Sequence, residues 1–123
     1  MFLRFAVHDR HEESGRERGV FTALYGLADS HLLTDYELTW FDEQETWFRK
    51  HLKRPKGIND SPTAILWFKD TATEHISRMR ALCALLEHKD IAIAYFETLK
   101  PGEIVYEDNH QVAAIPYVRE TFQ

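Results

Sequence analysis

Residues 63–68, TAILWF, and 91–96, IAIAYF, are short apolar runs separated by a helical pattern over 71–88, and this succession constrains the fold more than any other feature. A run of about six apolar residues bounded by turn residues reads as a strand covered on both faces. Between the two runs, Ile76, Met79, Cys83 and Leu86 recur at helical spacing. Strands joined through a helix of this length normally lie parallel in one sheet, connected by a right-handed crossover. The expectation is therefore an α/β fold, with α+β as the neighbouring class.

The rest of the chain adds elements on both sides of that unit. FLRFAV at 2–7 reads as a first strand, followed by the polar stretch HDRHEESGRERG and a helix over about 16–30 carrying Val20, Phe21, Leu24, Leu27 and Ala28. Ser14 with Glu17, Thr34 with Glu37 and Thr71 with Glu74 each have the spacing of a capping box, which satisfies the free N–H groups of a helix start. A second helix over 34–52 follows, with Tyr36, Trp40, Phe41, Trp47, Phe48 and Leu52 on its apolar face. Pro55, Gly57, Asn59, Asp60 and Pro62 make a break too short to separate two domains. EIVYE at 103–107 and QVAAIPY at 111–117, around Asp108 and Asn109, read as a C-terminal antiparallel hairpin, with Pro116 at a sheet edge or at the strand's end. The order is β-α-α-β-α-β-β-β: one domain over 1–123, a mixed sheet with helices packed against it.

A chain of 123 residues can bury a core without metals or disulfides. Its net charge of −5 argues against nucleic acid as a partner. No window reaches the roughly 18 apolar residues of a membrane span, and the start, MFLRFAVHDR, is charged by its fourth residue, so a cytoplasmic location without membrane contact is expected. The lone Cys83 excludes an internal disulfide and falls on the apolar stripe of its helix, the position of a core residue.

If strands 2–7 and 63–68 run parallel, their C-terminal ends face the same way, and ligands of open α/β sheets bind beyond such ends. His8, Asp9, Arg10 and His11 would then meet Lys69, Asp70, Thr71, Thr73 and His75. Arg10, Arg16 and Lys69, with the helix start at Thr71 and Thr73, would hold a phosphorylated or nucleotide-like small molecule. His8, Asp9 and His75 are the acid–base candidates. The competing reading of these residues is a capped, salt-bridged surface, since Glu12, Glu13 and Glu17 offer the arginines partners. No glycine-rich phosphate loop is present, and no cofactor is implied.

Other classes stay open. A protein-binding module, an inhibitor or adaptor without chemistry, could use the acidic helical face around Asp42, Glu43 and Glu45 with nearby aromatics. A metal-dependent hydrolase would draw on His8, His11 and Asp70, though HExxH is absent. Trp40 and Trp47, seven apart, have core spacing, and the basic run RKHLKRPK at 49–56 suits a helix C-terminus, with polyanion contact as the alternative. Tyr106, Glu107, Asp108 and His110 read as turn chemistry, with Tyr106 or His110 lining a pocket if the hairpin folds over the strand ends. The combination LRFAVHDR, GRERGVFTALY, WFKDTATEHISRM and PGEIVYEDNHQVAAIPY resembles a group of small bacterial proteins. The resemblance covers most of the chain and implies an intracellular single domain, with no activity, catalytic residue or cofactor to carry over.

Overall fold

Alternating side chains place β1 (Phe2–Val7) between two cores. In the computed structural model, which describes residues 1–8 and 18–117, Phe5 and Val7 lie under the helices while Phe2 packs with Trp67 and Val112 on the opposite face. The other elements are α1 (Val20–Asp29), α2 (Asp35–His51), β2 (Ile65–Lys69), α3 (Thr73–His88), β3 (Ile93–Thr98), β4 (Glu103–Glu107) and β5 (Gln111–Ile115), in the order the sequence implies. The result is an α+β domain with a five-stranded sheet ordered β3-β1-β2-β5-β4.

Every neighbouring pair in that sheet is antiparallel. This corrects the expected parallel alignment of the first two major strands: β1 pairs β2 with Phe2 opposite Lys69 and Leu3 opposite Phe68. The strand–helix–strand unit survives in another form. β2 and β3 are both antiparallel to β1, so they run the same way with β1 inserted between them. A helix is roughly 10 Å wide and strands lie about 4.8 Å apart, so a crossover helix naturally spans one intervening strand. The N-terminal strand fills that slot.

The three helices pack on one side, where Leu24, Leu82 and Leu86 are fully buried together with Val7, Phe41, Phe48 and Cys83. The Cys83 thiol is pushed up to about 12 by burial, in keeping with a small core side chain. Trp40 and Trp47 are half-buried against this core, and Trp67 belongs to the smaller cluster on the far face.

Helix starts divide between those the sequence marks and those it does not. Thr34 caps α2 as expected, accepting from the Glu37 N–H at 3.1 Å while Glu37 accepts from the Thr34 N–H at 2.8 Å. The Glu37 carboxyl also takes a hydrogen bond from Lys89, which with the Thr34 N–H holds it below its ordinary value. The box expected at Thr71 and Glu74 does not form. α3 begins at Thr73 behind Ala72 with no side-chain cap, and the Glu74 carboxylate accepts from Arg78 instead. α1 begins later than expected, at Val20 behind Gly19. Ser14 and Glu17 lie outside the described residues.

Candidate functional site

The antiparallel pairing separates the two halves of the expected strand-end site. β1 is six residues long, roughly 20 Å from end to end at strand rise. His8 sits at one end, its N–H donating to the Ala92 carbonyl at 2.9 Å, in a hollow of about 210 Å³ with Arg18, Asp90, Ile91 and Ala92. At the other end Lys69 lies opposite Phe2 and Asp70 beside Met1, with Thr71, Thr73 and His75 following in the chain into α3. There, Lys69 is held by Glu107 at 2.6 Å and Asp70 faces the terminal amine at 3.6 Å. Asp70 and Thr73 also line a hollow of about 370 Å³ with Ser77 and Arg80, whereas Thr71 is an exposed turn residue. Asp9, Arg10, His11 and Arg16 lie outside the described residues. Among the described residues no three His, Cys, Asp or Glu side chains converge as metal ligands; His8 and Asp70 lie at opposite ends of β1.

A different constellation forms where the β4–β5 hairpin meets the C-terminus of α2. Helical spacing puts Trp47 and His51 one turn apart, and their rings stack at 4.4 Å and 16°. A carbonyl only accepts, so His51 Nδ1 carries the proton it donates to the Trp47 carbonyl at 2.8 Å. His75, in the first turn of α3, closes edge-on against Trp47 at 4.7 Å and donates from Nε2 to the His51 carbonyl at 2.7 Å. That bond satisfies one of the carbonyls a helix leaves free at its end. His110, from the hairpin, stacks on His75 at 4.4 Å. Arg78 lies over the Trp47 ring at 4.3 Å and donates to Gln44 at 3.0 Å.

This column opens into a cleft of about 330 Å³ lined by Lys50, His51, Lys53, Tyr106, Asp108, Asn109 and His110. Its hairpin wall is fixed by Asp108, whose carboxylate accepts from the N–H groups of His110 and Gln111 at 2.8 and 3.0 Å, from the Tyr106 hydroxyl at 2.7 Å and from the Gln111 amide at 3.1 Å. Burial pushes this carboxyl up, but those donors outweigh it and hold it below its ordinary value. The same bond raises the Tyr106 hydroxyl. Fully buried Gln111 also donates to the Lys53 carbonyl at 2.6 Å, tying the hairpin to the segment after α2.

The cations of this region differ in their freedom. Arg49 pairs with Glu45, Arg54 with Asn59, and Lys69 with Glu107. Lys50 and Lys53 form no ion pair among the described residues, and both face the cleft. Two uncommitted ammonium groups beside two imidazoles make an anion-binding arrangement, while Asp108 is already saturated with donors.

His75 itself is buried and does not line the cleft; it packs behind His110, which does. Burial lowers its pKa, with His110 and His51 acting in the same direction against its hydrogen bond to the His51 carbonyl and the charge of Glu74. A histidine whose folded value lies below the ordinary 6.5 stabilises the fold fully above that pH and loses the contribution as pH falls toward the folded value. His75→Gln keeps a donor for the carbonyl and removes the titration. Wild-type stability from urea titrations is expected to fall more steeply than that of His75→Gln between about pH 7 and pH 5, by up to one proton in slope. Equal slopes would show that His75 is not held neutral.

Lys50, His51 and Lys53 belong to the run 49–56 that the sequence offers as a helix end, with polyanion contact as the alternative, and it does not single them out as site residues. The signal available was the coincidence of that run with the polar hairpin cluster, of which Tyr106, Asp108 and His110 line the cleft while Glu107 pairs with Lys69. The acidic face expected on α2 is divided: Asp42 and Glu43 are exposed, but Glu45 turns inward beside α1. No helix among the described residues is long and apolar enough to cross a membrane. Compared with known protein families, curated proteins and solved structures, the chain matches none of them.

Proposed function

We propose that this protein acts in the cytoplasm by binding a phosphorylated small molecule, nucleotide-like in class, in the cleft between the C-terminus of α2 and the β4–β5 hairpin. One observation carries the reading: Lys50 and Lys53, without ion-pair partners among the described residues, flank the imidazoles of His51 and His110 over a single cleft. The lysines supply point charges for phosphate. The rings of Tyr106, His51 and His110 supply flat surfaces for the remainder of the ligand. The ligand class is the one expected from the sequence; its location differs from the strand-end site, because antiparallel pairing takes those strand ends apart.

Calorimetric titration with adenosine monophosphate and with inorganic phosphate tests the reading. Lys53→Ala and Lys50→Ala are each expected to weaken binding about tenfold, equivalent to about 1.4 kcal/mol, with the loss shrinking as salt is raised. Arg54→Ala, whose side chain is bonded to Asn59 at 2.9 Å outside the cleft lining, should leave affinity unchanged. Equal affinity in wild type and both lysine variants would remove the proposal.

A further inference from the structure

A second hollow, of about 210 Å³, lies between α1 and α2, away from the lysine cleft, and has the opposite chemistry. Its walls are Phe21 and Tyr25 of α1 and Phe48 of α2, with Leu52 at one end and Glu45 and Arg49 completing the lining. Phe21 stands edge-on to Phe48 at 5.3 Å and stacked with Phe41 at 6.2 Å, and Tyr25 approaches Phe41 at 5.5 Å. Faces of such rings carry negative charge density and attract cations.

The carboxylate among these rings is only half used. Glu45 Oε1 holds Arg49 at 2.9 Å, whereas Glu45 Oε2 is buried with no hydrogen-bond partner. A buried carboxylate oxygen without a donor is costly, and a cation that reaches it recovers that cost. Rotation about the terminal torsion, which is broad and two-fold, exchanges the oxygens and brings either to an incoming group.

We infer that this α1–α2 groove receives an arginine side chain from a partner polypeptide, its guanidinium lying against the aromatic walls and donating to Glu45. A guanidinium fits better than an ammonium, because it is planar, stacks on rings and donates through a fork. The chain itself repeats this recognition: Arg78 lies over Trp47 at 4.3 Å and donates to Glu74, and Arg80 lies over Phe5 and Tyr95. The polypeptide source follows from exposed apolar side chains on the same pair of helices and the segment joining them. Tyr25, in the groove wall, is 43% exposed, and Leu32, between α1 and α2, and Tyr36, in the first turn of α2, are 58% and 82% exposed. Apolar flanks of a peptide cover such residues, and tyrosine and arginine are the side chains that dominate interfaces.

The test is an amide-shift titration with the blocked peptide acetyl-Leu-Arg-Leu-amide, its lysine and citrulline counterparts, and arginine amide alone. The arginine peptide should shift Phe21, Tyr25, Glu45 and Arg49, and bind about tenfold tighter than the neutral citrulline peptide. It should also bind several-fold tighter than either the lysine peptide or arginine amide. Glu45→Gln, nearly isosteric, should weaken the arginine peptide about tenfold, its dispersed spectrum confirming the fold. Arg49→Met removes the internal competitor for Glu45 and should strengthen binding. Equal binding of the citrulline peptide, unchanged affinity in Glu45→Gln, or weakening in Arg49→Met would overturn the inference. Arginine amide binding as tightly as the peptide would replace the polypeptide partner with a free small molecule. The phosphate titration at Lys53 reads a different cleft, so either result stands without the other.

Discussion

Gly102→Ala is expected to destabilise the fold by about 3 kcal/mol or more, the largest effect of an added methyl group at any of the described glycines. Gly102 sits just before β4 with φ of 128°, a conformation L side chains rarely adopt. A Cβ there would lie 2.0 Å from the Ile115 carbonyl oxygen, 2.6 Å from its carbon and 2.9 Å from the Pro116 Cα. All three are backbone atoms, so no side chain can rotate out of the way. The start of β4 would have to move off the end of β5, breaking the pairing of Glu103 with Ile115. Urea denaturation should show the loss in the midpoint with little change in slope. A loss under about 1 kcal/mol would mean that the hairpin end yields easily.

Leu82→Ala is expected to cost about 3 kcal/mol, within the range of about 2–5 for such truncations. Leu82 is fully buried on α3, in the cluster that joins the three helices to the sheet through Val7. The substitution removes apolar surface from the core and leaves a cavity that rigid neighbours fill only in part. Alanine is the better helix former, so helix propensity works against the loss and cannot be its source. Thermal and urea unfolding should agree on the magnitude. A change under about 1 kcal/mol would mean that α3 packs far less tightly than its burial implies.

The periodicity of Ile76, Met79, Cys83 and Leu86 marked α3, and the Thr34–Glu37 spacing marked the start of α2. Both features are local, so a single sequence carries them. Strand direction is not local. FLRFAV is equally apolar whether it lies at the sheet's edge or between β2 and β3, and only its central insertion makes the neighbouring pairs antiparallel. The Thr71–Glu74 box fails because α3 starts one residue later than that spacing requires: Ala72 is the N-cap, so Glu74 falls at the second helical position and pairs with Arg78 one turn along.

The candidate cleft was legible only in parts. RKHLKRPK reads as a helix end, and so it is, while Tyr106, Asp108 and His110 read as a turn, and so they are. What joins them is tertiary. The Gln111 amide reaches the Lys53 carbonyl across 58 positions of sequence, and His75 bridges α2 and the hairpin through a hydrogen bond and a ring stack. No spacing rule encodes such contacts.

The most direct measurement of the proposed binding site is an amide-shift map of the protein titrated with adenosine monophosphate. Binding in the lysine cleft predicts the largest shifts in residues 50–53 and 106–111, with the indole of Trp47 responding through the His51 and His75 rings. Shifts centred instead on His8, Arg18 and residues 90–92, or a spectrum unchanged at millimolar ligand, would contradict it.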